Sequence, residues 1–343
     1  MPEEHEQAES EEQDLEEEML TAARSVIRTC MQVRPHENVL VVTDPTTSEV
    51  GRALYEAASE VTDRILMMMM PRSHMQGNEP PASVGDLMRR QNVVLLATRN
   101  SLTHTRARLT SSREGARIAS MPGITQEMMA SGGMTADYNA LQKEISGLNP
   151  LLRRRRDVRV TSEAGTDIRF RTGARWVLED NGICNRPGQV TNLPAGKVFV
   201  LPQEQTMNGK IVIDGSWEGT ILEEPITFLV EDGLVVSISG GEAAENIQSV
   251  LDEARVGLRP SRANLINTVA EFGFGMNPRA RISGKRLEDQ VVRGAAYFGF
   301  GDNSALGGTA SVGVHMRGVM LNPTVELNDV DLVIEGRITA RKR

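Results

Sequence analysis

The fold class this 343-residue sequence predicts is an α/β N-terminal domain with a parallel sheet, followed by a C-terminal, mostly antiparallel β domain of barrel-like form with inserted helices. Three observations predict it. Short apolar runs alternate with helical periodicity as far as about residue 150, the pattern of a parallel sheet wrapped by helices. From Leu151 onward, short alternating segments are separated by Gly, Asp and Asn. Within that second half, Asp232 and Gly233 sit between apolar flanks, a strong hairpin signal.

The elements follow in order. Asn38 to Val42 (NVLVV) is a continuous apolar run, as expected of a strand buried on both faces. It ends in the polar turn TDPTT, which supplies helix caps, and Val50 to Ser59 then has helical spacing. Asp63 to Met70 reads as a second strand, with its Met67 to Met70 run as core packing. PRSHMQGNEPP is a loop by its prolines and glycine. Ser83 to Gln91 is helical and Asn92 to Ala97 is a third strand. No GxGxxG follows the first strand, so a dinucleotide site is unsupported. In the second half VRVTSEAGTDIRF, KVFVLPQ, GKIVIDGSW and ITFLVEDGLVVSISGG read as strands, interrupted by a helix over Ala243 to Ala254.

Three divisions result: an acidic disordered tail over 1–18, an α/β domain over 19–150 and a β-rich domain over 151–343. The tail holds ten acidic residues, among them Glu3, Glu11 and Glu18, and carries most of the net charge of −8. It reads as a solvating segment, with docking to a basic partner as the alternative. The remainder is close to neutral, which argues against nucleic acid as a ligand. Arg153 to Arg156 is a local exception, expected as a solvated boundary between domains. No apolar run approaches the length of a membrane span, and the acidic start is unlike a signal peptide. Cys30 and Cys184, the two cysteines, cannot form a disulfide framework, so a reducing cytoplasm is expected.

Seven segments in order, VLVVTDPTT, SLTHTRARLTSSREGARIASMPGIT, AGTDIRF, NLPAGKVFVLP, AEFGFGMNP, FGFGDNSALGG and VGVHMRGVMLNPTVELND, resemble the thermophilic metallo-aminopeptidase family of the aminopeptidase T and AmpS type. They also resemble its shorter relatives, which include the iron-dependent dihydroxypyridine ring-opening dioxygenase. The resemblance implies a metal site in the second half. In the aminopeptidases, the ligand positions fall on Lys197, where a glutamate stands; Glu271, which is kept; Tyr297, where a histidine stands; and His315 and Arg317, a histidine followed by an aspartate. The dioxygenases also need the terminal histidine–aspartate pair. Glu271 and His315 alone keep ligand character, while a lysine and an arginine add repulsion toward a dication. Asp214, Asp302 and Asp329 are the candidates if the ligands have moved.

The expectation drawn from these replacements is a catalytically degenerate aminopeptidase-like protein with no metal and no cofactor. Its pocket of Lys197, Glu271, Tyr297, His315 and Arg317 would bind a peptide or another anionic small ligand, as in a biosynthetic pathway for a ribosomally made peptide. A homodimer is the expected state. The alternative is an enzyme: a metal-dependent aminopeptidase or ring-cleaving dioxygenase with relocated ligands, or a metal-free acid–base catalyst using Glu271 and His315. Cys184 reads as a small buried residue rather than a nucleophile, and His104 as a loop residue after a strand.

Overall fold

A computed structural model of the chain describes residues 2–339, with side chains from residue 12 onward. The chain forms two compact units, Met1–Gln142 with Glu179–Ala195 and Lys143–Leu178 with Gly196–Arg343. It passes between them three times, where composition suggests a single passage near residue 150.

The first unit opens on helix α1 (Pro2–Ser25), so the acidic segment expected as a disordered tail is helical in its backbone. Two causes act together. Glu, Gln and Ala are strong helix formers, and the C-terminal end of the helix is anchored by burial of Met19, Ala22 and Ala23. Arg24 and Arg28 both pair with Glu60, the residue that caps the C-terminus of the helix Ser48–Ser59, at 2.7 and 2.9 Å. The side chains of residues 1–11 lie outside the described residues.

Strand β1 (Val39–Thr43), helix α2 (Ser48–Ser59), β2 (Ile65–Met69), α3 (Ala82–Met88) and β3 (Val93–Ala97) alternate as predicted, and α4 (Arg106–Arg113) and β4 (Arg117–Ser120) continue the pattern. Met67 and Met69, expected as core packing, are instead exposed because β2 is the edge strand. Helices α5 (Gln126–Ala130), α6 (Tyr138–Gly147) and α7 (Asn149–Leu152) follow. The chain enters the second unit with β5 (Asp157–Thr161) and β6 (Asp167–Arg171), and returns to the first with β7 (Val190–Asn192). The first sheet is wholly parallel, in the order β2-β1-β3-β4-β7. β1 and β3 are buried at every residue, which accounts for their unbroken apolar sequences. Arg117 of β4 and Glu37, both buried, form a bidentate ion pair with two contacts of 2.8 Å.

The second unit continues with β8 (Lys197–Val200), β9 (Asn208–Ile213), β10 (Ser216–Trp217), β11 (Thr220–Ile221), β12 (Ile226–Glu231) and β13 (Leu234–Ser239). Helix α8 (Gly241–Val256) precedes β14 (Val269–Gly275), the short α9 (Arg286–Asp289), β15 (Ala296–Gly301), β16 (His315–Met320), β17 (Thr324–Leu327), β18 (Asp331–Ile334) and β19 (Arg337–Ile338). Two antiparallel sheets result, β11-β10-β16-β15-β14-β8 and β13-β12-β9-β6-β5-β17-β18-β19. Asp232 and Gly233 join β12 to β13 with φ of 48° and 80°, the left-handed pair a tight hairpin needs. An aromatic layer joins the two sheets. Phe170 of β6 meets Phe272 at 5.4 Å, and Phe228 of β12 stacks on Phe300 at 4.5 Å.

Candidate functional site

The sequences AEFGFG and AYFGFG of β14 and β15 place phenylalanine and glycine on alternate faces. Phe272, Phe274, Phe298 and Phe300 point into the aromatic layer, all buried. The opposite face therefore carries Glu271, Gly273 and Gly275 on β14, and Tyr297, Gly299 and Gly301 on β15. Strand pairing aligns this face: Glu271 lies opposite Gly299, and Gly299 opposite Arg317. Gly301 lies opposite His315 and Gly275 opposite Lys197. The five residues singled out in the sequence are thus brought together on one face of one sheet.

Glu271 is the centre of the group. Its side chain is 1% exposed, and Arg317 donates to its Oε2 from Nη2 at 2.8 Å and from Nε at 3.2 Å. The Tyr297 hydroxyl donates to Oε1 at 2.5 Å. His315 Nε2 lies 3.6 Å from Oε2. Burial alone would push the Glu271 carboxyl up; the Arg317 guanidinium, with His315 and Lys197, outweighs burial and holds it well below the usual carboxylate range. Lys197 Nζ donates to Gln290 at 3.1 Å and lies 5.1 Å from the centre of the Tyr297 ring.

The glycines make room. A Cβ on Gly273 would stand 2.6 Å from the Tyr297 ring and hydroxyl, and one on Gly299 would stand 3.0 Å from Glu271 Cβ and 3.1 Å from His315 Cε1. Gly273→Ala is therefore expected to push Tyr297 off Glu271 and to cost about 1–3 kcal/mol from overpacking. Urea unfolding followed by circular dichroism measures the loss; an unchanged midpoint would show that the strand relaxes freely.

His315 Nδ1 lies 2.7 Å from the backbone carbonyl oxygen of Asp302. A carbonyl only accepts, so Nδ1 carries a proton, and in the neutral ring Nε2 presents the lone pair. Nε2 has no hydrogen-bond partner among the described residues. His315 and Arg317 each keep 23% side-chain exposure, against 1% for Glu271, while His315 Nε2 itself is buried.

Three further residues belong here that the sequence did not reveal. Glu218 accepts from the Arg317 backbone N–H at 2.6 Å and pairs with Arg286 at 3.0 Å. Gln290 receives Lys197. They come from the β10–β11 turn and from α9 with its C-cap, neither of which has a period that points at the sheet face. The positive φ of 49° at Glu218 marks the tight turn, visible in sequence only as the glycine after it. Asp302 serves through its backbone; its carboxylate caps Ser304, Val312 and Gly313. Asp214 accepts from the Leu321 backbone, and Asp329 lies in a turn after β17 with φ of 60°. Cys184 is buried in the first unit, where burial pushes its thiol up to about 12. His104 is exposed in the loop after β3.

The iron or zinc that the resemblance implies does not fit these side chains. One Glu271 oxygen is occupied by a guanidinium and the other by a phenol, and Lys197 adds an ammonium. Among the described residues no three His, Cys, Asp or Glu side chains are placed to hold a metal ion.

A family model for 2,5-dihydroxypyridine 5,6-dioxygenase matches residues 18–340. The chain belongs to the 2,5-dihydroxypyridine 5,6-dioxygenase family. A 2,5-dihydroxypyridine 5,6-dioxygenase of Pseudomonas putida is 25% identical over 215 residues, 58% of this chain and 59% of that relative. The aligned part thus spans well under two thirds of that relative's length. In structure, a dihydroxypyridine dioxygenase from Pseudomonas putida superposes with a TM-score of 0.79 at 19% identity, covering 94% of this chain and 97% of the other. AmpT from Thermus thermophilus gives 0.64 at 14% identity, covering 94% and 99%. The two structural likenesses establish the fold. Membership in the dioxygenase family corrects the expectation of a catalytically degenerate, peptide-binding aminopeptidase-like protein: the match is to a family of enzymes, and it runs through the site-bearing strands. No helix among the described residues is long and apolar enough to cross a membrane.

Proposed function

We propose that the chain is a ring-opening oxygenase that acts on a small hydroxylated nitrogen heteroaromatic at the face formed by Glu271, Tyr297, His315, Arg317 and Lys197. The observation that carries the reading is His315, whose Nδ1 is fixed by the Asp302 carbonyl and whose buried Nε2, 3.6 Å from the Glu271 carboxylate, has no hydrogen-bond partner among the described residues. Family membership supplies the class of reaction.

The chemistry asked of these side chains is acid–base and electrostatic. His315 Nε2 takes the proton of a ring hydroxyl, and the electron pair stays on the ring oxygen. Glu271, 3.6 Å away, stabilises the imidazolium that results. Arg317 and Lys197 offset the charge of the ring oxyanion. Deprotonation makes the ring electron-rich, and the ring itself supplies the electrons that reduce dioxygen. Opening then consumes one dioxygen and leaves both its atoms in the product. The route runs through these side chains alone, since the donor set does not fit a metal.

The test is simultaneous recording of oxygen uptake and ring absorbance for the purified chain with 2,5-dihydroxypyridine and a panel of hydroxylated pyridines. One oxygen consumed per ring lost is expected. His315→Ala is expected to lower the rate by about 10²–10⁴-fold, the span of a lost general base. Absence of oxygen uptake with every ring overturns the assignment. Uptake abolished by a chelator and restored by ferrous iron overturns the side-chain route.

A further inference from the structure

The turn that joins β10 to β11 carries one carboxylate shared by two arginines. Glu218 accepts from the Arg317 backbone N–H with Oε1 at 2.6 Å, and its Oε2 lies 3.0 Å from Arg286 Nη1. Its φ of 49° is in the left-handed region, which costs a non-glycine residue free energy. The next residue, Gly219, has φ of 84°, and a Cβ there would stand 3.0 Å from the Arg286 backbone nitrogen. A glycine is therefore what lets the start of α9 lie against this turn. A strained glutamate and a close-packed glycine together fix Arg286 beside Arg317.

Packing gives no reason for a second guanidinium here. Partial burial pushes Arg286 down from its usual range, Glu218 opposes this, and Arg317 adds to it. Two like charges are thus held in one patch at a cost. Both Glu271 oxygens and both Glu218 oxygens are engaged. Three guanidinium nitrogens are not. Arg286 Nε and Nη2 and Arg317 Nη1 have no hydrogen-bond partner among the described residues, and none of the three is fully buried. The Arg286 side chain is 38% exposed. The two ion pairs balance in charge, and what they leave for a ligand is donors.

We propose that Arg286 is a specificity-determining residue that receives a carboxylate substituent on the substrate ring, so that the chain takes hydroxylated pyridine carboxylates in preference to bare hydroxypyridines. The inference rests on the ring-opening reading above and narrows its substrate class. A guanidinium offers a carboxylate two parallel N–H donors along one edge. Arg317 gives its Nε and Nη2 edge to Glu271. Arg286 keeps the same edge unused. A ring held by its hydroxyl at His315 and by its carboxylate at Arg286 is fixed at two points, which selects one orientation for opening.

Isothermal titration calorimetry of the full chain, without dioxygen and at neutral pH and fixed ionic strength, tests this. The probes are 5-hydroxypyridine-3-carboxylate, 5-hydroxypyridine-2-carboxylate and the carboxamide of each. The readout is the ratio of affinities, acid over amide, which cancels what a substitution does to ring binding in general. At least one acid is expected to bind about tenfold or more tightly than its amide, the worth of one charge-assisted contact. Arg286→Gln should bring that ratio close to one. Arg286→Lys keeps the charge without the fork and should fall between. A merely structural Arg286 would lower the melting temperature and both affinities while leaving the ratio in place. A ratio unchanged in Arg286→Gln overturns the inference. So does a wild-type chain that binds neither acid more tightly than its amide, or that binds none of the four probes. Turnover does not enter this readout. Absence of oxygen uptake with every ring strikes the ring-opening reading, whereas uptake with bare hydroxypyridines and a ratio of one strikes the carboxylate alone.

Discussion

Arg317→Met is expected to destabilise the second unit by about 3–5 kcal/mol, the usual cost of leaving a buried charge without its partner. Glu271 is 1% exposed, and the guanidinium is the charge that opposes its burial most strongly. Glu271→Gln combined with Arg317→Met removes both charges and should recover most of that loss. Urea unfolding of the two variants reads the difference; equal destabilisation would show that the pair contributes little beyond packing. A pH dependence accompanies it. The folded Glu271 carboxyl titrates well below its ordinary value near 4.5. The stability it contributes is therefore complete above the ordinary glutamate range and is lost as pH falls through that range toward the depressed value. Glu271→Gln should flatten this acid limb in melting temperature against pH, and an unchanged limb would count against the assignment.

The second large effect is a gain. Lys197→Glu, Tyr297→His and Arg317→Asp together exchange two cations and a phenol for three ligands, beside the retained Glu271 and His315. All five positions share one sheet face, as the strand pairing shows. The triple variant is expected to take up about one equivalent of ferrous iron or zinc per chain, the donor set now suiting either ion. Elemental analysis after dialysis checks it against wild type carried through the same loading. A folded variant that takes up no metal would show that the backbone, and not only the side chains, has departed from a metal-binding geometry.

How far this site was legible depends on periodicity. Glu271, Tyr297, His315 and Arg317 stand on strands with strict alternation, so period two alone puts His315 with Arg317 on one face, and the FGFG repeats show which face is packed. Lys197 reaches them only because β8 pairs with β14, a contact between residues 78 positions apart in register. Glu218, Arg286 and Gln290 were not legible, since a turn and a four-residue helix carry no pattern aimed at a sheet. The parallel sheet was legible because β1 and β3 are buried on both faces. The acidic composition of helix α1 hides the anchoring role of Met19, Ala22 and Ala23. The enzyme class is hidden in the sequence for a related reason. Individual replaced residues say what a pocket has lost, whereas membership in the family is spread over residues 18–340.

The three passages between units bear on how the protein can be divided. A polypeptide stopped near residue 150 would keep β1 to β4 but lose β7, leaving β4 as an open edge of a parallel sheet that invites association with other chains. It would also strip the cover from Cys30, whose carbonyl receives the Cys184 N–H at 2.7 Å. A polypeptide begun at Gly196 would lack β5 and β6, the two middle strands of the eight-stranded sheet. Each half therefore carries part of the other's scaffold along the chain. A cut near residue 150 takes a strand from the first unit, and a cut at 196 takes two from the second.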